Sequence, residues 1–204
     1  PATLLDGDGF VDPERCWRVL MANEKDGGHG ERSGAVGLLD AALWDLRAKQ
    51  EGRPLWRVLA DRYGLPGAKS RIAVYGTCGH FRPGEPLDGL ADDVRRAFDA
   101  GYRAIKIKAS GDSVSGDLRR VDVVQPARGA DMRVAIDVNG KLSAAVAEAW
   151  LETMASANIA WVEEPAAPLD YATLNRFVGA SKVPIATGEN LFSFDDVRNL
   201  LRYG

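Results

Sequence analysis

The sequence Ala-Ile-Lys-Ile-Lys-Ala at residues 104–109 places two lysines in a short apolar run. The alternation is that of a β-strand, in which successive side chains point to opposite faces. Lys106 and Lys108 therefore share one face, and Ile105 and Ile107 share the other. Because burying an ammonium group without a partner is costly, the lysine face meets either water or a set of anionic groups.

Short apolar segments and helical segments alternate on both sides of this strand. Strict alternation of this kind is typical of right-handed βαβ units and a parallel sheet, in an open α/β fold or a barrel. We predict strands at 71–75, 104–109, 133–137, 159–163 and 183–187. Helices are predicted at 87–100, 115–127, 143–155, 171–178 and 193–201.

Residues 1–65 have a different, helical pattern and are predicted to be separate from a catalytic domain at 66–204. Asp12 followed by Pro13 is a helix-start signal. The segment 23–33 contains several glycines and is predicted to be a shaped loop. Two further helices are expected, one from about residue 35 to Gly52 and one at 55–63.

Composition excludes several classes of protein. The 204 residues carry a formal net charge of -3, which gives no electrostatic reason to expect nucleic acid or an anionic membrane as partner. No apolar run approaches the roughly 20 residues needed to span a bilayer. Cys16 and Cys78 are isolated, which is typical of a reducing compartment. We therefore expect a cytoplasmic protein with no nucleic-acid or membrane partner.

Three acidic residues follow consecutive predicted strands at equal spacing. Asp137, Glu163 and Glu189 are 26 residues apart, one βα unit each. Since sites form at the carboxyl ends of parallel strands, the three carboxylates are expected to converge and to repel one another. A hard divalent cation with oxygen ligands resolves that conflict, so the sequence predicts a Mg²⁺ site.

Each acidic residue alone has a simpler interpretation. A carboxylate after a strand is more often a helix N-cap or a surface charge than a metal ligand. Asp137 with Asn139, and Glu189 with Asn190, also fit turn chemistry. Three carboxylates in register beside a lysine pair favour the metal site.

A mechanism follows from these charges. Mg²⁺ held by the three carboxylates can bind a substrate carboxylate and stabilise the enolate formed when an α-proton is removed. A lysine beside the cation can serve as the base. Lys108 is nearer the C-terminal mouth of its strand, so we assign it as the base and Lys106 as an electrostatic partner of the substrate carboxylate. A structural ion pair between Lys106 and one of the metal-binding carboxylates remains an alternative.

Several motifs resemble those of the enolase superfamily, in its mandelate racemase and muconate lactonizing branch. They are the Lys-x-Lys strand and the segments 137–139, 161–165 and 188–190, with helical segments at 35–45 and 52–55 that look like the lead into the barrel. The resemblance implies an α/β fold, a (β/α) TIM-type barrel with about five of its strands present. It also implies that capping-domain helices precede the barrel.

Segments 23–33 and 186–193 further resemble the D-tartrate dehydratases of that branch. This resemblance implies a lyase that removes water from a small hydroxy diacid, with Lys108 taking the α-proton. It makes Lys25 and Asn139 candidates for substrate contact, although Lys25 also fits a solvated loop charge and Asn139 a turn. A homo-oligomer is expected as well.

The sequence departs from the family in the number of strands. A closed barrel of this type has eight strands, and only five are predicted before Gly204. We therefore expect these residues to be part of a longer protein, with the general acid on later strands. A racemase or epimerase, a sugar-acid dehydratase and a non-catalytic barrel fragment remain alternatives.

Overall fold

The computed structural model describes residues 4–24, 30–82, 84 and 86–204. Within these ranges the chain forms three helices followed by five strands that alternate with five further helices. The helices are α1 (Pro13–Leu20), α2 (Gly30–Gln50), α3 (Leu55–Arg62), α4 (Asp88–Asp99), α5 (Val114–Ala127), α6 (Ala144–Met154), α7 (Tyr171–Ala180) and α8 (Phe194–Tyr203). The strands are β1 (Gly76–Cys78), β2 (Ala104–Lys108), β3 (Arg133–Asp137), β4 (Val162–Glu163) and β5 (Ile185–Ala186).

The five strands form one parallel sheet in which they lie in chain order. A helix separates each strand from the next, as parallel neighbours require. The predicted βα repeat and parallel sheet are therefore confirmed. The register places Lys108 opposite Asp137 and Asp137 opposite Glu163, so the C-terminal ends of β2, β3 and β4 meet at one level.

Contacts divide the chain into two compact units. The first holds the described residues up to Ile72 together with Phe192–Asp196, and the second holds Ala73–Leu191 and Val197–Gly204. The sheet lies wholly in the second unit. In the described part of the chain, none of the helices combines the length and apolar character that crossing a bilayer requires.

The core of the second unit lies between the sheet and its helices. Ile105 and Ile107 are fully buried, so the face of β2 opposite the lysines packs into this core. Burying each such side chain stabilises the fold by about 1.5–3 kcal/mol. The other members of this core that are at most 1% exposed are Val94, Val121, Val124, Met132, Val134, Ile136, Val138, Ala147, Trp150, Met154, Val162 and Phe177.

The first unit has a small core of its own, in which Trp44 and Ala48 of α2 pack with Val58 of α3. The predicted start of α1 is confirmed, since the Asp12 carboxylate accepts the backbone N–H of Arg15 and caps the helix. The predicted loop at 23–33 is too long, because α2 already begins at Gly30.

The first predicted strand, at 71–75, is wrong. The strand that joins the sheet is β1, in which Gly76 pairs with Ile105. The alternating pattern of residues 71–75 misled the prediction, because Ile72 and Val74 are 77% and 65% exposed and bury little apolar surface. Gly76 fits the sheet because a Cβ there would lie 3.3 Å from the Tyr102 ring.

Candidate active site

The two lysines of β2 bind carboxylates at the C-terminal ends of neighbouring strands. Lys106 Nζ lies 2.6 Å from Glu163 Oε1 and 3.2 Å from Asp137 Oδ2. Lys108 Nζ lies 2.6 Å from the same Asp137 oxygen. Both ammonium groups therefore occupy one face of the sheet and share one carboxylate, which answers the burial problem posed by the sequence.

The two lysines differ in exposure. The Lys106 side chain is 9% exposed, whereas that of Lys108 is 24% exposed. Lys108 is also the last residue of β2. The Lys108 side chain is therefore the more accessible of the two to a molecule that enters from solvent.

Asp137 is fully buried and held from several sides. Burial raises the pKa of its carboxyl, but the hydrogen bonds from Lys108, from the backbone N–H of Asn139 and from Lys106 outweigh burial and lower it below its usual value. Burial likewise lowers the pKa of Lys106, and its bonds to Glu163 and Asp137 reverse that effect and raise it. Both groups are thus held in their charged forms.

Asn139 lies in the turn after β3, and its side-chain oxygen accepts a hydrogen bond from Lys108 Nζ at 3.0 Å. Its φ of 53° lies in the left-handed region, which asparagine tolerates better than most residues. Its backbone N–H donates to Asp137 Oδ1 at 2.9 Å. The turn interpretation therefore describes its backbone, while its side chain stands beside Lys108.

The third predicted metal ligand is placed differently. Glu189 follows β5 by three residues and is exposed. Its negative charge contributes to the raised pKa of Glu164, so the two carboxyls lie within electrostatic reach of each other. In the described ranges, no group of three His, Cys, Asp or Glu side chains is arranged to hold a metal ion as it stands.

Two of the three predicted ligands still offer oxygen atoms that suit a hard cation. Asp137 and Glu163 present carboxylate oxygens from register partners on adjacent strands, and oxygen donors are what Mg²⁺ prefers. Two ammonium groups already lie against these oxygens, so positive charge is accommodated there. Among the described residues Glu189 does not complete a three-ligand group with these two, so its place in a triad stays a prediction.

Sequence reasoning missed Glu164, which is 2% exposed and accepts a hydrogen bond from Asn190 at 2.7 Å. Burial is the main cause of its raised pKa. Its φ of 46° breaks the strand alternation after Glu163. The pair Glu163-Glu164 before Pro165 gave no sign of this backbone conformation.

An aromatic pair lies beside the lysines and was also missed. The rings of Tyr75 and Trp161 meet edge to face with centroids 5.1 Å apart, and Lys106 Nζ lies 5.8 Å from the Tyr75 ring. Trp161 precedes Glu163 by two residues, so the period of a strand could have placed it on the lysine face.

One residue predicted to contact the substrate cannot be placed in the structure. Lys25, with His29 of the same glycine-rich segment, lies outside the residues that the structure describes. Its assignment stays a prediction.

Comparison with known proteins places the chain in a family. Residues 89–204, more than half of the chain, match the enolase C-terminal domain-like family. The chain therefore belongs to that family. The resemblance to the enolase superfamily and the (β/α) barrel fold class are thereby confirmed.

Among curated proteins, L-talarate/galactarate dehydratase of Salmonella typhimurium is 30% identical over 184 residues, which are 90% of this chain and 44% of that protein. The chain spans about half the length of the curated relatives it matches.

Solved structures of enolase-superfamily proteins are also similar to this chain. A racemase from Streptomyces coelicolor A3(2) with bound magnesium superposes with a TM-score of 0.82 at 28% identity, over 95% of this chain and 52% of that one. L-Talarate dehydratase from Polaromonas sp. JS666, complexed with Mg and L-glucarate, gives a TM-score of 0.77 at 27% identity, over 94% of this chain and 53% of that one.

Proposed function

We propose that the protein carrying this chain is a Mg²⁺-dependent hydro-lyase that removes water from a hydroxy acid or sugar acid. The observation that carries the proposal is the convergence of Lys106, Lys108, Asp137 and Glu163 at the C-terminal ends of three adjacent strands. The relatives named as dehydratases of talarate, galactarate and galactonate support the reaction class.

Lys108 is the proposed base. Its side chain is the more exposed of the two and its amine stands 3.0 Å from Asn139 Oδ1, so a substrate entering the mouth is expected to meet Lys108 first. To act, the amine must be free of the ammonium proton, and it then takes the proton from the α-carbon. Asn139 is proposed to orient either that amine or the substrate.

Lys106 is proposed to face the substrate carboxylate while it stays paired with Glu163. Its ammonium group is held charged by its bonds to two carboxylates, which suits an electrostatic role and not proton abstraction. The structural ion pair that the sequence left open is thus part of the same arrangement.

Asp137, Glu163 and Glu189 are the proposed metal ligands. Mg²⁺ bound to them would neutralise the carboxylates and stabilise negative charge on a substrate carboxylate. A racemase solved with magnesium and a dehydratase solved with Mg support this choice of metal.

The proposed reaction balances as a loss of water. Lys108 takes the α-proton, the β-carbon–oxygen bond breaks, and the departing hydroxyl is protonated by an acid outside the residues assigned above. The enol that remains becomes a 2-keto acid. For the narrower substrate proposal, tartrate, the product is oxaloacetate; Lys25 is proposed to contact this diacid.

Isomerisation is the second candidate. The solved racemase and the curated 3,6-anhydro-alpha-L-galactonate cycloisomerase of Streptomyces coelicolor support it. A racemase shares the abstraction step and returns a proton to the opposite face, so the product distinguishes the two.

The test is a substrate panel with the intact protein. Tartrate stereoisomers, galactarate, talarate, galactonate and mandelate are incubated with Mg²⁺ or with EDTA, and 2-keto acid and stereoisomer formation are measured. We expect Mg²⁺-dependent 2-keto acid from at least one hydroxy acid and its loss in Glu163→Gln. Glu148→Gln, in an exposed carboxylate on α6, is the matched control. Turnover unaffected by EDTA or by Glu163→Gln contradicts the proposal, and stereoisomer formation alone favours the isomerase. The homo-oligomeric state stays a prediction that light scattering checks.

A further inference from the structure

A buried polar pair on the helix after β2 reaches back to the end of that strand. Asp117 and Arg120 are one turn apart on α5, a spacing that puts them on the same helical face. They are 0% and 6% exposed. Aspartate and arginine are this buried only when their polar atoms find partners.

Arg120 bonds to the backbone at the ends of two strands. Its Nε donates to the carbonyl oxygen of Lys108 at 2.9 Å, and its Nη2 donates to the carbonyl oxygen of Gly79 at 2.7 Å. The backbone N–H of Lys108 donates to the same Gly79 carbonyl at 3.3 Å. One guanidinium group thus ties the end of β2 to the residue that follows β1.

The geometry of this bond pair needs arginine. The guanidinium group carries several donors in a rigid planar fork, whereas a lysine ammonium is a point charge on a flexible stem. A lysine at this position can reach one carbonyl but does not hold two in a fixed relation. The bond to Gly79 is buried and the bond to Lys108 is part-buried, so replacing the guanidinium removes a donor from a carbonyl that is at least partly shielded from water.

Asp117 holds the turn that follows the strand. Its Oδ1 accepts the backbone N–H and the hydroxyl of Ser110, at 2.6 and 2.8 Å. Its Oδ2 accepts the indole N–H of Trp150 at 3.0 Å. The backbone on both sides of Ala109 is therefore anchored to α5, and α5 is in turn anchored to α6.

We propose that Arg120 is a positioning residue for Lys108, with Asp117 as its support. The Lys108 side chain reaches Asp137 from a backbone whose carbonyl is held by Arg120, so the position of the amine depends on that bond. The inference rests on the proposed function, because it takes Lys108 as the base. A reacting group misplaced by about 1 Å lowers the rate by roughly 100-fold.

The test compares Arg120→Lys with Arg119→Lys, an exposed neighbour on the same helix. With the intact protein and Mg²⁺, we expect Arg120→Lys to lower kcat by about 10- to 100-fold and to change KM by less than about threefold. Arg119→Lys should match the wild type in both constants. A merely structural role would lower the folded fraction, and so the apparent kcat, without changing turnover per folded molecule.

A second readout needs no activity. Amide hydrogen exchange in the metal-free protein should be faster for residues 107–110 in Arg120→Lys than in Arg119→Lys, with the remaining strands unchanged. If no acid is turned over by the wild type, the proposed function fails. The exchange measurement then still decides whether Arg120 holds this strand end.

Chemical rescue of Arg120→Ala provides a third test, which does not depend on how well Arg120→Lys folds. Arg120 lines a cavity of about 350 Å³ together with Gly79 and His80, so a small cation can enter there. Millimolar guanidinium should raise the kcat of Arg120→Ala, and an equal concentration of ammonium should not. Arg120→Lys with wild-type turnover per folded molecule, or with unchanged exchange at 107–110, overturns the proposal, as does Arg120→Ala that guanidinium does not improve.

Discussion

Lys106 of β2 reaches Glu163 of β4 across the intervening strand, with Nζ 2.6 Å from Oε1. The two strands are two spacings apart, about 10 Å, because β3 lies between them. Ala135 is the residue of β3 directly opposite Lys106, and it is fully buried. Register partners on parallel strands point to the same face, so we expect the small Ala135 side chain to leave a path for the lysine stem.

Filling that path should therefore break the pair. We expect Ala135→Leu to lower the free energy of unfolding by about 1–3 kcal/mol, because it overpacks a closed site and displaces the Lys106 stem. Urea denaturation measures the change. Ala145→Leu, at an exposed position of α6, is the control and should be nearly neutral. Equal stabilities of the two variants would contradict the role given to Ala135.

Asp117 offers a second stability test. Asp117→Asn turns one acceptor into an amide donor facing either Trp150 or Ser110, both of which donate to the carboxylate. We expect a loss of about 1–3 kcal/mol, the usual cost of an unsatisfied buried polar group. Asp122→Asn, exposed on the same helix, should change stability by less than about 0.5 kcal/mol. A neutral Asp117→Asn would show that the carboxylate is not needed.

These two residues show where sequence reasoning stops. The alternation in β2 predicted the shared lysine face, and the βα spacing of the acidic residues predicted that Asp137 and Glu163 lie at neighbouring strand ends, because both patterns are regular along the sequence. Arg120 and Asp117 were not singled out in the sequence, because charged residues on a helix are usually exposed. Only the packing of α5 against β2 shows that they point inward, and a single sequence does not encode that packing as a periodic signal.

The stability of the first unit should fall in acid because of the ion pair between Glu14 and Arg62. Arg62 and the Tyr63 hydroxyl, both bonded to Glu14, lower the pKa of its carboxyl to about 2. The folded pKa lies below the ordinary value of 4.5, so the unfolded state binds the proton more readily. The stabilisation is thus complete above about pH 4.5 and is lost as the pH falls to about 2.

We expect Glu14→Gln to be less stable than the wild type at pH 7 and nearly equal to it at pH 2. Urea denaturation at both pH values, followed by tryptophan fluorescence, measures the difference. Glu152→Gln, at an exposed carboxylate on α6, is the matched control. A difference that stays constant from pH 7 to pH 2 would contradict the assigned shift.

Two substitutions separate the role of Asn139 in the turn after β3 from its contact with Lys108. Its φ of 53° suits glycine at least as well, so Asn139→Gly should keep the fold, while Asn139→Ala should cost about 1 kcal/mol. Both variants remove the Asn139 side-chain oxygen that accepts from Lys108 Nζ, so both should lower kcat by a similar factor. If Asn139→Gly keeps full turnover, the residue serves the turn alone.

The remaining sequence errors have physical causes of the same kind. The pattern at 71–75 has the composition of a strand, yet β1 forms at the next residues because Gly76 fits against Tyr102 and pairs with Ile105. Glu164 was missed because a buried carboxylate in a left-handed conformation contradicts the local rule for a strand end. Asp137 and Glu163 of the predicted carboxylate triad lie at neighbouring strand ends, Glu189 is exposed, and the assignment of all three as metal ligands stays a prediction.

The central claim is that Lys108 removes the α-proton. ¹H NMR in D₂O measures this step directly. With the intact protein and Mg²⁺, it follows the loss of the α-proton signal of an acid that the wild type converts. Lys108→Met should abolish the loss of signal, and Lys182→Met, an exposed lysine before β5, should match the wild type. Continued loss of the α-proton in folded Lys108→Met would contradict the account.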